Sequence, residues 1–111
     1  MLYSLWFAAV SALMPNLQQP PPASKTEVDN DRVIVRRNIH PPHSTTEMHS
    51  HRDGVVVYLS DVHERTIAPN GSSHVVFHKA GDVIWAPART HSLENLGDQP
   101  IQAIEIELKK P

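Results

Sequence analysis

The chain contains no cysteine, which removes disulfides, thiolate zinc sites and thiol catalysis in one step. It also lacks a strong charge of either sign. The formal net charge is −2 and the basic residues are scattered, so there is no electrostatic footprint for nucleic acid. It lacks an apolar run long enough for a transmembrane helix, which needs about 20 residues; Leu2–Met14, its longest uncharged apolar stretch, falls short. No internal repeat points to a solenoid, and no stretch after residue 30 sustains a helical period. What the chain does have is histidine and proline, 8 and 10 residues respectively.

The N-terminal third divides by composition. Leu2–Met14 has the length of a signal-peptide h-region, with small residues for cleavage near Val10-Ser11-Ala12. No lysine or arginine precedes it, so the amino terminus alone supplies positive charge. As a signal it predicts an exported protein, periplasmic or secreted, with no stable membrane span after processing. The alternative is an apolar N-terminal segment of a cytoplasmic protein that packs on the domain or on a partner. Residues 15–29, with Pro20-Pro21-Pro22, read as an extended proline-rich linker or arm. A single domain over residues 30–109 remains. At that size a chain buries only about 60–65% of its unfolded surface, so a small core helped by a second copy is expected.

Within that domain the elements read as short strands. Arg32–Arg36 is the first, broken by His40-Pro41-Pro42, since proline cannot donate to a ladder. Val55–Leu59 is apolar enough to lie inside a barrel. Val62–Ile67 and Ser73–Phe77 flank the turn Pro69-Asn70-Gly71-Ser72, and Lys79–Asp82 turns the chain into Val83-Ile84-Trp85. Ile101–Leu108 is apolar at 101 and 103 and then at 104, 106 and 108, a one-residue slip that predicts a bulge or an exit from the barrel. Short strands separated by Gly, Pro and Asn turns predict an all-β antiparallel jelly roll.

The histidines carry the chemistry. His49 and His51 are i and i+2, on one face of an extended chain and about 7 Å apart at Cα, a spacing suited to chelation. Imidazole suits Fe, Zn, Mn, Ni and Cu alike, so the expected cofactor is a divalent transition metal ion. His91, in GDVIWAPARTHSLENLGD, is the third candidate ligand; it follows the Pro87-Ala88 bend and a short loop.

The segments MHSHRDGVVVYLS and GDVIWAPARTHSLENLGD resemble the two motifs of the cupin superfamily, small double-stranded β-helix barrels. The likeness is to short single-domain bacterial cupins with an export signal and covers about Asp31 to Leu108. Motif one of that family is Gly, five residues, His-x-His, three or four residues, Glu, six residues, Gly. Here His49 and His51 are kept, His43 stands at the first glycine, Val55 at the glutamate with the shorter spacing, and Val62 at the last glycine. Motif two keeps Gly81, Pro87, His91 and Asn95, with Arg89 in place of its middle glycine and one residue fewer before the histidine. The resemblance implies a metal held by His49, His51 and His91 without the motif glutamate, as in three-histidine cupins that include small-molecule oxygenases. It also implies a homodimer.

A neutral three-nitrogen set favours an anionic further ligand, such as hydroxide or a substrate carboxylate or enolate. Asp53 and Glu47 are the carboxylates near enough in sequence to replace the missing one, while Asp53-Gly54 also reads as a turn. His40, His43, His63, His74 and His78 read as surface or edge-strand residues, His78 being the best placed of them. Tyr58 and Trp85 fill the barrel or line its mouth, and Arg89 is either a solvated loop residue or a partner for a substrate carboxylate. Three function classes stay open: a metal-dependent oxygenase (a dioxygenase among them), isomerase, lyase or hydrolase for a small, anionic organic molecule; a non-catalytic extracytoplasmic binder of a metal or small ligand; and a vestigial structural barrel.

Overall fold

Two turns with glycine in the left-handed region set the hairpins in the second half of the chain. Gly71, at φ 88°, closes the loop in which the Ala68 N–H donates to the Ser72 carbonyl. Gly81, at φ 92°, lets its own N–H reach the carbonyl of Tyr58. A side chain at either position would face the steric penalty of that region. In the computed structural model, which describes residues 20–110, nine strands follow in chain order. They are β1 (Ala23–Asp29), β2 (Val33–His40), β3 (His49–His51), β4 (Gly54–Tyr58), β5 (Val62–Ile67), β6 (Ser73–His78), β7 (Val83–Ala86), β8 (Arg89–Asn95) and β9 (Ile101–Leu108). Leu2–Met14 lies outside the described residues.

The strands form a five-stranded sheet, β1-β2-β9-β4-β7, facing a four-stranded sheet, β3-β8-β5-β6, and every strand pairing is antiparallel. No helix occurs among the described residues. The expected all-β jelly roll is therefore the observed architecture. One boundary moves: Ala23–Asp29, within the span read as an arm, is an exposed edge strand paired along β2. Prolines 20–22 end just before it, so the residues that follow are free to donate to a ladder. Ion pairs Glu27–Arg37 (2.9 Å) and Asp29–Lys109 (2.7 Å) fasten it at the surface.

The interior is divided lengthwise. One part is apolar, built from Val56, Tyr58, Val62, Ala86, Ile101 and Ala103 with Ile84 against them. Burying a valine- or isoleucine-sized side chain contributes about 1.5–3 kcal/mol. The other part is polar, and β9 runs through both. Its inward positions are Ile101, Ala103, Glu105 and Glu107, all buried, and its register against β2 and β4 is unbroken. The bulge expected in β9 is absent. The slip in apolar phase arises because two glutamates take inward positions, leaving Ile104 and Ile106 on the other face.

At the hinge between β8 and the loop that follows, Asn95 is 1% exposed. Its Nδ2 donates to the carbonyls of His40, Pro41 and Gln99, and its Oδ1 accepts the Gly97 N–H. Asn95 thus closes the bend that the two prolines after His40 impose. His43, in the same bend, sits at φ 59°, so the position where the resembled motif has glycine keeps a glycine-like backbone although the residue is histidine.

Candidate metal centre

β3 and β8 are neighbours in the four-stranded sheet, with His49 directly opposite His91, Ser50 opposite Thr90 and His51 opposite Arg89. A cross-strand pair and an i, i+2 pair therefore share one face. The three imidazole rings stand 4.6, 4.8 and 5.1 Å apart centre to centre, and one nitrogen from each falls within 4.8 Å of the others. The short loop expected between the Pro87-Ala88 bend and His91 is replaced by strand: Arg89–Asn95 resumes the ladder straight after the bend, so His91 lies within β8.

The three rings differ in what stands behind them. The Nδ1 of His49 is 2.7 Å from the carbonyl oxygen of Glu47, which leaves Nε2 free. The Nδ1 of His51 is buried and lies 3.1 Å from Oε1 of Glu105 and 3.6 Å from Oε1 of Glu107, within ion-pair reach but out of line for a hydrogen bond as the ring stands. The Nε2 of His91 is buried and has no hydrogen-bond partner. Burial, reinforced by Arg89 and by the two other imidazoles, pushes His91 down to about 4. It is held neutral, with a lone pair available. An orphaned buried nitrogen facing two further imidazoles is what a divalent transition ion would satisfy, so these residues fit such a group.

Neither nearby carboxylate joins the triad. Asp53 accepts the Ala88 N–H at 2.6 Å and joins neither cluster of ligating groups, and Glu47 contributes its backbone carbonyl. Val55 faces away from the barrel interior; the buried side chains of β4 are Val56 and Tyr58. The carboxylates at the centre come from β9, which sequence reasoning missed. Arg89, expected as a solvated loop residue or a partner for a substrate carboxylate, opens β8, pairs with Glu105 (Nη2 to Oε2, 2.9 Å) and donates to the Pro87 carbonyl.

The triad opens into a cavity of about 440 Å³. Tyr58, Glu64, His78 and Trp85 are among its lining residues. Tyr58 is buried and stacked on His78 at 4.2 Å, while Trp85, paired opposite Val55, is 58% exposed. His40, read from the sequence as a surface residue, also lines this cavity: burial and the charges of His49 and His51 lower it, with Glu105 opposing. Proline at 41 and 42 turns the chain after it, so β2 ends with the imidazole inside. His43 pairs with Asp98 at 2.9 Å and His63 stacks on Phe77 at 4.4 Å, both away from the triad; His74 is exposed at the cavity edge.

Glu64 is the other group that the sequence did not single out. It is an inward residue of β5, 6% exposed, and its carboxyl makes no hydrogen bond or ion pair among the described residues. Burial raises it to about 7 against the opposing charge of Arg89. Between about 4.5 and 7 the folded protein thus keeps a proton that the unfolded chain has released, so stability falls as pH rises through that window and is level above it. Glu64→Gln should match the wild type near pH 4.5 and exceed it by on the order of 3 kcal/mol at pH 8, measured by urea titration at both values. An equal difference at the two pH values would mean that Glu64 titrates as an ordinary glutamate.

No family model matches the chain, and no curated protein matches it. Solved structures do. A cupin domain from Bordetella pertussis Tohama I superposes with a TM-score of 0.76 at 28% identity, covering 84% of this chain and 98% of that one. A protein with a double-stranded β-helix domain from Klebsiella pneumoniae gives 0.62 at 19% identity over 88% of this chain and 95% of that one. The polyketide cyclase RemF from Streptomyces resistomycificus gives 0.60 at 16% identity over 84% and 70%. The class is a small double-stranded β-helix barrel with a histidine cluster able to hold a metal. Within that class its fold is that of the cupin superfamily.

Proposed function

We propose that His49, His51 and His91 hold a divalent transition metal ion and that the protein acts on a small organic molecule bound beside it in the cavity. The carrying observation is the triad itself: three imidazoles converging from β3 and β8, one with a buried, unpartnered Nε2. The cavity volume lies in the range of small-molecule sites, roughly 300–1,000 Å³. A bound ion of this kind supplies Lewis acidity toward a ligand oxygen, and the neutral triad favours an anionic one. The ligand's apolar part would lie against Val56, Ile84 and Ala103.

Glu64 favours catalysis over simple capture. A solitary carboxyl near pKa 7 in the ligand cavity can donate or accept a proton at neutral pH, as isomerisation, elimination or cyclisation requires. Direct oxygen chemistry has less need of such a group, so the acid–base reading takes precedence over the dioxygenase one. Export is part of the proposal and rests on the Leu2–Met14 stretch. Elemental analysis tests the metal: protein purified without added metal or an affinity tag should carry close to one equivalent, and the His49→Ala/His91→Ala double variant none. Wild-type protein that stays metal-free even after reconstitution would overturn the proposal.

A further inference from the structure

We infer that Glu105 is the positioning residue of the metal centre, holding the Nδ1 proton of His51 so that Nε2 is the nitrogen turned toward the ion. The inference rests on the three-histidine reading and adds to it a carboxylate delivered from the opposite sheet.

A carboxylate inside a barrel is costly unless paired, and β9 buries two of them. Their partners divide them by role. Glu107 is taken up by the scaffold: it pairs with Arg36 and accepts the Arg52 backbone N–H at 2.8 Å. Glu105 faces the centre. Its Oε2 is fixed by Arg89 at 2.9 Å, Asn38 Nδ2 stands 3.5 Å from Oε1, and that same Oε1 is the carboxylate oxygen nearest to His51 Nδ1, at 3.1 Å. His51, Glu105 and Glu107 are close enough to one another to suggest a second cation site. Arg36 and Arg89 already balance both carboxylates there, so the group is better explained as a relay of fixed charges ending on His51.

The register explains how this barrel comes to need it. Glu105 is directly opposite Val56 on β4, and Val56 is the inward residue beside Val55, where the resembled motif would put its glutamate. The carboxylate absent from β4 is present one strand over, at the same level of the barrel. From there it lies behind a ligand ring. A carboxylate hydrogen-bonded to the distal nitrogen of a metal-binding histidine fixes its tautomer and raises its basicity, and its loss lowers metal affinity 10- to 100-fold in general.

Two measurements test this. Long-range proton–nitrogen correlation spectra of the metal-free wild-type protein at about pH 8 report the tautomer of His51: a proton on Nδ1 is expected, and a proton on Nε2 instead would overturn the inference without any variant. Co²⁺ titration by calorimetry and by visible absorption then compares wild type with Glu105→Gln and Arg89→Met. Glu105→Gln should bind Co²⁺ about 10- to 100-fold more weakly with an altered absorption band. Arg89→Met, which frees Glu105 Oε2 but leaves Oε1 beside His51, should lose less affinity than Glu105→Gln. Equal affinity in Glu105→Gln, or the same loss in both variants, would overturn the positioning role. Failure of the wild type to bind Co²⁺ would instead overturn the three-histidine reading beneath it.

Discussion

Zinc at a thousand times its dissociation constant should stabilise the wild-type protein by about 4 kcal/mol, and His91→Ala should lose that stabilisation entirely. The size follows from linkage: an ion that binds only the folded state contributes RT ln(1 + [L]/Kd), and about 1 kcal/mol moves the melting temperature of a domain this size by roughly 4–8 °C. His91 is the sensitive ligand because it is the most deeply buried of the three and its Nε2 has no hydrogen-bond partner. Alanine there removes an orphaned polar atom as well as a ligand, so the metal-free variant should melt close to the metal-free wild type. Thermal melts of both proteins with zinc and with a chelator check it. A zinc shift of wild-type size in His91→Ala would show that the ion binds elsewhere.

The centre was legible in the sequence where spacing carries it and hidden where burial does. His49 and His51 announce a shared face by alternation alone, and strand pairing later sets His91 across from them. Glu105 and Glu107 could not be read the same way. In IQAIEIEL the apolar residues at 104, 106 and 108 look like an inward face in a shifted phase, and glutamates alternating with isoleucines look like its solvated side. Only the register of β9 between β2 and β4 shows that the carboxylates are inside. The same holds for Glu64 in VHERTI, whose inward partners are Val62 and Thr66. A strand that changes from apolar to acidic inward residues partway along is better read as crossing a site than as a bulge.

Gly54→Ala should cost more than about 4 kcal/mol and prevent a uniquely folded barrel, the largest effect expected of any single methyl group here. The reason is space. A Cβ on Gly54 would lie 2.0 Å from the carbonyl oxygen of Ile106, 3.0 Å from its carbon and 3.1 Å from the Cα of Glu107, all backbone atoms of β9 that cannot rotate aside. Relief requires β4 and β9 to separate where Gly54 pairs with Glu107 and where the Leu108 N–H donates to the carbonyl of Asp53. Asp53-Gly54, which reads as a turn, is in fact the entry to β4, and its glycine allows the two strands to approach beside the metal centre. Separation would also displace Glu105 from its place opposite Val56 and carry its carboxylate away from His51. Urea unfolding followed by circular dichroism, with Co²⁺ affinity measured on whatever folds, checks both consequences. A variant within about 1 kcal/mol of wild type would mean that β4 and β9 do not pair in this register. The placement of Glu105 at the centre would then fall with it, whereas His49, His51 and His91, which depend on β3 and β8, would keep their arrangement.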